Sequence, residues 1–168
     1  MNPFAYMNDS YDGIQRRIRA AEERVGRNVT LVAAVKYTDA AHIDYLHREL
    51  GACDVGENRV QQLLEHWDTV NREGLRFHFI GKLQTNKVKY IVDKVCMIHS
   101  LDSLKLAAEI QKQAAKIGKT IDVLVEINSG GEENKSGVSR EEAAELCLSL
   151  RDFPNLKLCG FMTMAPQC

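Results

Sequence analysis

Residues 30–36 read TLVAAVK: five apolar positions in a row, rich in β-branched side chains and closed by a cation. A run of that kind is too short for a helix and matches a strand covered on both faces in a parallel sheet. Its flanks have a different period. Upstream, Ile14, Ile18, Ala21 and Val25 fall at helical spacing, with Asp9 or Ser10 as the N-cap and Gly26 as the stop. Downstream, Ile43, Leu46 and Leu50 form a second helical stripe that ends at Gly51.

The alternation continues along the chain. Strand patterns at 53–55, 76–80, 95–99, 121–127 and 156–164 are separated by helical stripes. The stripes run through Val60, Leu63, Leu64 and Trp67, through Val88, Ile91 and Val92, and through Leu104 to Ile117 before Gly118. A last one, Ala143, Leu146, Cys147 and Leu150, follows an S-x-x-E capping box at Ser139 and Glu142. Buried strands alternating with amphipathic helices, with no hairpin signal, mean an α/β chain with a parallel sheet. Two architectures satisfy this, an open doubly wound sheet and a (β/α)8 barrel of the TIM type. Eight units at about 25 residues each need roughly 200 residues or more, and the chain has 168. Either the sheet is open, or the chain holds about six barrel units and lacks the C-terminal ones.

Composition narrows the function. The chain is 45% hydrophobic and 27% charged with 11 Gly and 3 Pro, which predicts a folded chain, here one domain over 1–168. Basic and acidic residues nearly cancel, 22 against 23, so no net field gathers nucleic acid or an anionic membrane. The N-terminal MNPFAYMNDSYDG has neither a basic start nor an apolar run, and a cytoplasmic protein is expected. The five cysteines, odd in number and without a C-x-x-C pair, read as reduced core thiols. The histidines form no metal set. His42 and His47 do not share a helix face and read as surface residues, whereas His78 lies opposite Phe77 and Phe79 in its strand and either lines a pocket or is a bonded core residue.

In both architectures ligands bind at the C-terminal ends of strands. The polar residues there are Lys36, then Gly56-Glu57-Asn58, then Gly81 with Gln84 and Asn86, and then Asn128 with Ser129-Gly130-Gly131. Lys36 is the sharpest of these. A lysine forced to a sheet rim with its stem desolvated has a lowered pKa and an amine free to attack an aldehyde. A lysine that snorkels to solvent fits the same position. The tripeptide Gly118-Lys119-Thr120 is no P-loop, since it precedes a strand and Gln113 stands at the first glycine position. No G-x-G-x-x-G follows the first strand. The loop over 130–137 is either an anion cradle or a plain connector, and Lys82, Lys87, Lys89 and Lys94 read as a solvated basic face.

Taken in order, the blocks VAAVK (32–36), DVGENRVQ (54–61), FHFIGKLQTNK (77–87), IHSLDS (98–103), VEIN (125–128), KSGV (135–138) and GFMTMAP (160–166) resemble the signature of the YggS/PROSC-type pyridoxal phosphate homeostasis proteins. The resemblance runs from about Val29 to Pro166. It implies a barrel like the N-terminal domain of alanine racemase, with pyridoxal 5′-phosphate held as a Schiff base on Lys36. Asn58 and Lys135 match positions on the cofactor side and are implied contacts to its ring or 3′ oxygen. The family implies a non-catalytic carrier or buffer of the cofactor that serves pyridoxal phosphate-dependent apo-enzymes, expected as a monomer. The alternative is a fold-type III pyridoxal enzyme such as an amino-acid racemase. Those enzymes cover the cofactor with a second domain that supplies an acid-base group and excludes water. A third reading is an interaction fragment without cofactor.

Two departures stand out. Asp39 replaces the proline that many relatives carry three residues after the lysine. Relatives also continue for two further β/α units, which carry the Ser/Gly loop for the cofactor phosphate and an Arg at the pyridine nitrogen. A six-unit chain is therefore expected to hold cofactor more weakly, and to have two open sheet edges and an uncovered apolar interior.

Overall fold

The computed structural model describes residues 3–129 and 136–164. Helix α1 (Tyr6–Val25) leads into β1 (Ala33–Ala34), α2 (Ala40–Arg48), β2 (Asp54–Glu57), α3 (Val60–Thr69) and β3 (Arg76–Phe79). A 3₁₀ turn (Thr85–Lys87) then joins α4 (Val88–Ile91), followed by β4 (Val95–Leu101), α5 (Leu104–Lys116), β5 (Ile121–Glu126), α6 (Arg140–Ser149) and β6 (Leu156–Met162). The six strands form one sheet in the order β1-β2-β3-β4-β5-β6, every neighbouring pair parallel. This order decides between the two architectures. A doubly wound sheet reverses its strand order at a switch point, whereas a barrel winds one way throughout. The fold is that of six consecutive strands of a (β/α)8 barrel.

The core lies between the sheet and its helices. Val55, Phe77, Phe79, Ile98, Val123 and Val125 occupy alternate strand positions and pack on Ile43, Leu63, Ile91, Leu106 and Ile110 from α2 to α5. Phe79 has no solvent exposure at all.

Several boundaries differ from the sequence reading. Helix α1 begins at Tyr6, ahead of Asp9 and Ser10, and its N-cap Ala5 makes no side-chain bond. Tertiary contacts take the cap's place: Phe4 stacks 4.7 Å from His42 and 5.3 Å from Tyr45, and Tyr45 Oη donates to Asn8 Oδ1 at 2.8 Å. Strand β1 spans two residues of the expected seven, because it pairs on one side only, with β2. The stop at Gly26 (φ 65°) and the Ser139–Glu142 capping box stand as read. Among the described residues the cysteines are free, as read, and Cys147 packs against the core, but Cys53 and Cys159 are exposed and are not core thiols. His42 and His47 are half-buried and bonded, His47 to the carbonyls of Ala52 and Glu73. No helix of the described residues is long and apolar enough to cross a membrane.

The sheet face turned away from the helices was expected to be apolar, and at its N-terminal end it is not. Arg76 donates from Nε to Asp54 Oδ1 at 2.7 Å, His78 Nε2 meets the same oxygen at 2.8 Å, and His78 Nδ1 meets His99 Nε2 at 2.9 Å. Burial pushes the Asp54 carboxyl up, but the hydrogen bonds and charges of Arg76 and His78 together hold it below the usual range. Burial, with the His78 charge added, lowers His99 to about 4.

Two measurements test this account. Phe79→Ala should cost about 3–5 kcal/mol in urea unfolding, by transfer and cavity terms together. His99 takes up a proton near 6.5 when unfolded and near 4 when folded. Its contribution is thus present above pH 6.5 and lost as the pH falls towards 4, on the order of 2 kcal/mol after partial solvent screening. His99→Gln, which still carries a donor for His78, should flatten that part of the pH–stability curve relative to the parent.

Candidate functional site

Register brings the strand ends together. Ala34 pairs with Gly56 and Glu57 with Phe79, so the positions two beyond Ala34 and Gly56, Lys36 and Asn58, stand level at the C-terminal edge. Ile80 N–H donates to Glu57 O at 2.8 Å and carries the third strand to the same height, leaving Gly81 beside Asn58. Lys36, Tyr37, Asn58, Arg59, Gln62, Gly81 and Lys82 line one cleft of about 240 Å³.

Each side chain has a local reason for its place. Val35 N–H still bonds Gly56 O at 3.1 Å, and the chain then turns, with Thr38 N–H donating to Val35 O at 3.2 Å. Within this turn Tyr37 has φ 67°, a left-handed conformation that costs a bulky L-residue about 1–2 kcal/mol. Asp39 then caps α2 by accepting from His42 N–H at 3.0 Å. Asp39 is therefore the N-cap of α2. Gly81 is required by close approach: a Cβ there would lie 2.1 Å from Asn58 O and 2.7 Å from Asn58 Cα, both backbone atoms that cannot yield cheaply.

Lys36, Arg59 and Lys82 are all exposed at the cleft, giving it a positive rim that favours an anionic ligand. The expectation of a desolvated Lys36 is corrected here: its side chain is solvent-accessible, and Nζ sits 5.8 Å from the Tyr37 ring centroid. Asn58 Oδ1 is buried and has no hydrogen-bond partner among the described residues. A buried amide oxygen left without a donor carries a desolvation cost that a ligand donor removes.

Behind the cleft lies a pair that the sequence reading missed. Glu57, fully buried at the end of β2, meets His66 Nδ1 on α3 at 2.5 Å, and His66 Nε2 meets Thr38 O at 3.0 Å. Burial pushes the Glu57 carboxyl above its usual range, against the pull of the His66 hydrogen bond and charge and of the Asn58 N–H. The one available signal was helical spacing, since His66 follows Leu63 and precedes Val70 on the apolar stripe of α3.

The other strand ends are less complete. Glu126, at the end of β5, is buried and accepts from Ser136 Oγ at 2.9 Å; burial raises its pKa. Lys135 and the Gly130-Gly131 stretch lie outside the described residues. The structure thus brings Lys36 and Asn58 together and says nothing of Lys135. No group of three or more metal-ligating side chains occurs among the described residues.

With this geometry in hand, comparison with known proteins is decisive. The family profile described as alanine racemase, N-terminal domain, matches residues 10–167. The chain belongs to that family. Within it, a pyridoxal phosphate homeostasis protein of Aquifex aeolicus is 43% identical over 156 residues, covering 91% of this chain and 68% of the relative. This places the chain in the homeostasis-protein group of the family. A crystal structure from Bifidobacterium adolescentis superposes with a TM-score of 0.83 at 30% identity, covering 95% of this chain and 70% of that one. PipY of Synechococcus elongatus PCC7942, in a structure with PLP bound, gives 0.75 at 25% identity, covering 89% of this chain and 70% of its own. The chain spans about two thirds of the length of the curated relatives it matches.

The close approach at Gly81 can be tested. Gly81→Ala should displace the Asn58 backbone and cost on the order of 1–3 kcal/mol by overpacking. Urea unfolding reads the cost, and an Asn58 amide resonance that does not move would contradict the assigned contact.

Proposed function

We propose that the chain binds pyridoxal 5′-phosphate through Lys36 and serves as a non-catalytic carrier or buffer of that cofactor. The observation that carries this reading is the shared cleft of Lys36 and Asn58 at the ends of β1 and β2. The relatives named above, one of them structurally characterised with PLP bound, support it. When bound, the cofactor supplies an aldehyde carbon that a primary amine attacks, forming a C=N bond with loss of one water.

The residues fit such a group on its aldehyde side. An exposed Lys36 Nζ meets an incoming aldehyde without first shedding a buried environment. The unpartnered Asn58 Oδ1 offers an acceptor to a ring hydroxyl, and the cations of Arg59 and Lys82 attract an anionic ligand to the cleft. Lys135 is proposed as a further contact on the strength of its motif alone. The reading treats 1–168 as one domain, in keeping with the unbroken profile match over 10–167 and the continuous six-stranded sheet.

A carrier must also release what it holds, to apo-enzymes in this proposal. The accessibility of Lys36 favours release, since its amine stays within reach of water and of competing amines. A racemase needs the opposite, a closed site with a second acid-base group. Adding pyridoxal 5′-phosphate should produce a visible absorbance band that Lys36→Ala abolishes. A band of equal intensity in that variant would sink the assignment.

A further inference from the structure

The Glu57–His66 pair faces two hydrogen-bond acceptors with one imidazole. Nδ1 lies 2.5 Å from Glu57 Oε1, and Nε2 lies 3.0 Å from Thr38 O. A carbonyl only accepts, so the contact at Thr38 requires a hydrogen on Nε2. Two protonation patterns of the Glu57–His66 pair meet this requirement. The carboxyl donates its own proton to Nδ1, or it accepts one from Nδ1 of the imidazolium; in both cases Nε2–H remains for Thr38. The Thr38 carbonyl thereby excludes the neutral ring with its hydrogen on Nδ1 alone, which would leave two acceptors facing each other.

Thr38 is two residues from Lys36 and closes the same turn, and the turn does not hold itself. Tyr37 at φ 67° is strained, and the residue is 80% exposed, so no core packing compensates. The one internal hydrogen bond of the turn, Thr38 N–H to Val35 O, is 3.2 Å long. The grip from outside comes from His66, which is 4% exposed and anchored on α3. We propose that His66, held between Glu57 and Thr38, is a positioning residue for Lys36: its Nε2–H grips Thr38 O and sets the turn from which the amine projects. This inference rests on the reading of Lys36 as the cofactor amine, and it adds the device that holds that amine in place.

Two substitutions separate the halves of the bridge in the full chain. His66→Gln keeps an N–H at the reach of Nε2 and gives up Glu57. His66→Asn keeps a donor at the reach of Nδ1 and gives up Thr38. Hydrogen exchange at the Thr38 amide reports the turn, urea unfolding reports stability, and the rate at which the pyridoxal phosphate absorbance grows reports the amine. The Asn variant should exchange Thr38 about five- to tenfold faster, the equivalent of one lost hydrogen bond, and gain absorbance more slowly than the parent. The Gln variant should stay within about twofold of the parent in both. Stability should run the other way, lower in Gln, where the buried Glu57 carboxyl loses its partner. Thr38 exchange that simply follows stability, fastest in the Gln variant, overturns the proposal. So does absorbance growth in the Asn variant equal to that of the parent. If the parent itself develops no absorbance, the cofactor reading fails, and Thr38 exchange alone still decides whether His66 holds the turn.

Discussion

The hydrogen bond from Val35 N–H to Gly56 O, 3.1 Å long, is the last rung between β1 and β2 and sets the height of everything above it. It follows Ala33 against Val55 and Ala34 against Gly56. A parallel pair slipped by one residue turns every side chain to the other face of the sheet. Here such a slip would bring Val35 level with Asn58 and turn Lys36 toward the helices. The next ladder, Asp54–Glu57 on Arg76–Phe79, carries the same height to Gly81. Because β1 is two residues long and pairs on one side, this rung and the turn after it carry more of the site's precision than a central strand would.

Much of this was legible in the chain. Alternating strand and helix patterns fixed the element order, because each strand's apolar run and each helix's stripe is a local signal. Lys36 and Asn58 were legible as polar residues closing apolar runs, since a parallel α/β sheet places all such ends at one edge. The choice of barrel over doubly wound sheet was legible only through the ordered motifs, because periodicity is local and neighbour order in a sheet is set by long-range pairing. The Glu57–His66–Thr38 bridge was hidden for a related reason: its members are 9 and 28 residues apart, and none stands in a motif that demands the others. The exposure of Lys36 went against expectation because burial at a strand end depends on what covers it, and the turn over 35–38 lifts the side chain outward.

The inner face shows the limit of periodicity. Alternation in β2, β3 and β4 marks Asp54, His78 and His99 as facing away from the helices, which for an antiparallel sheet would mean solvent. In this fold they form a connected row instead, Arg76 to Asp54 to His78 to His99, in which each residue bonds the next. Asp54 and His78, buried and satisfied in this manner, specify one arrangement of strands more strictly than an apolar filling does.

The junction between β5 and α6 has a bearing on how this fold can change. Val138 N–H bonds Glu126 O and Asn128 N–H bonds Val138 O, both at 2.9 Å, so the two ends of the intervening segment are tied to each other. Immediately after, Ser139 and Glu142 start α6 from their own side chains. The start of this helix is thus set by the closed stem and by its own cap. Doubling the length of such a segment costs only about 0.6 kcal/mol in closure entropy. A change of length between residues 129 and 136 therefore leaves the register of β5 and the start of α6 where the stem and the capping box set them.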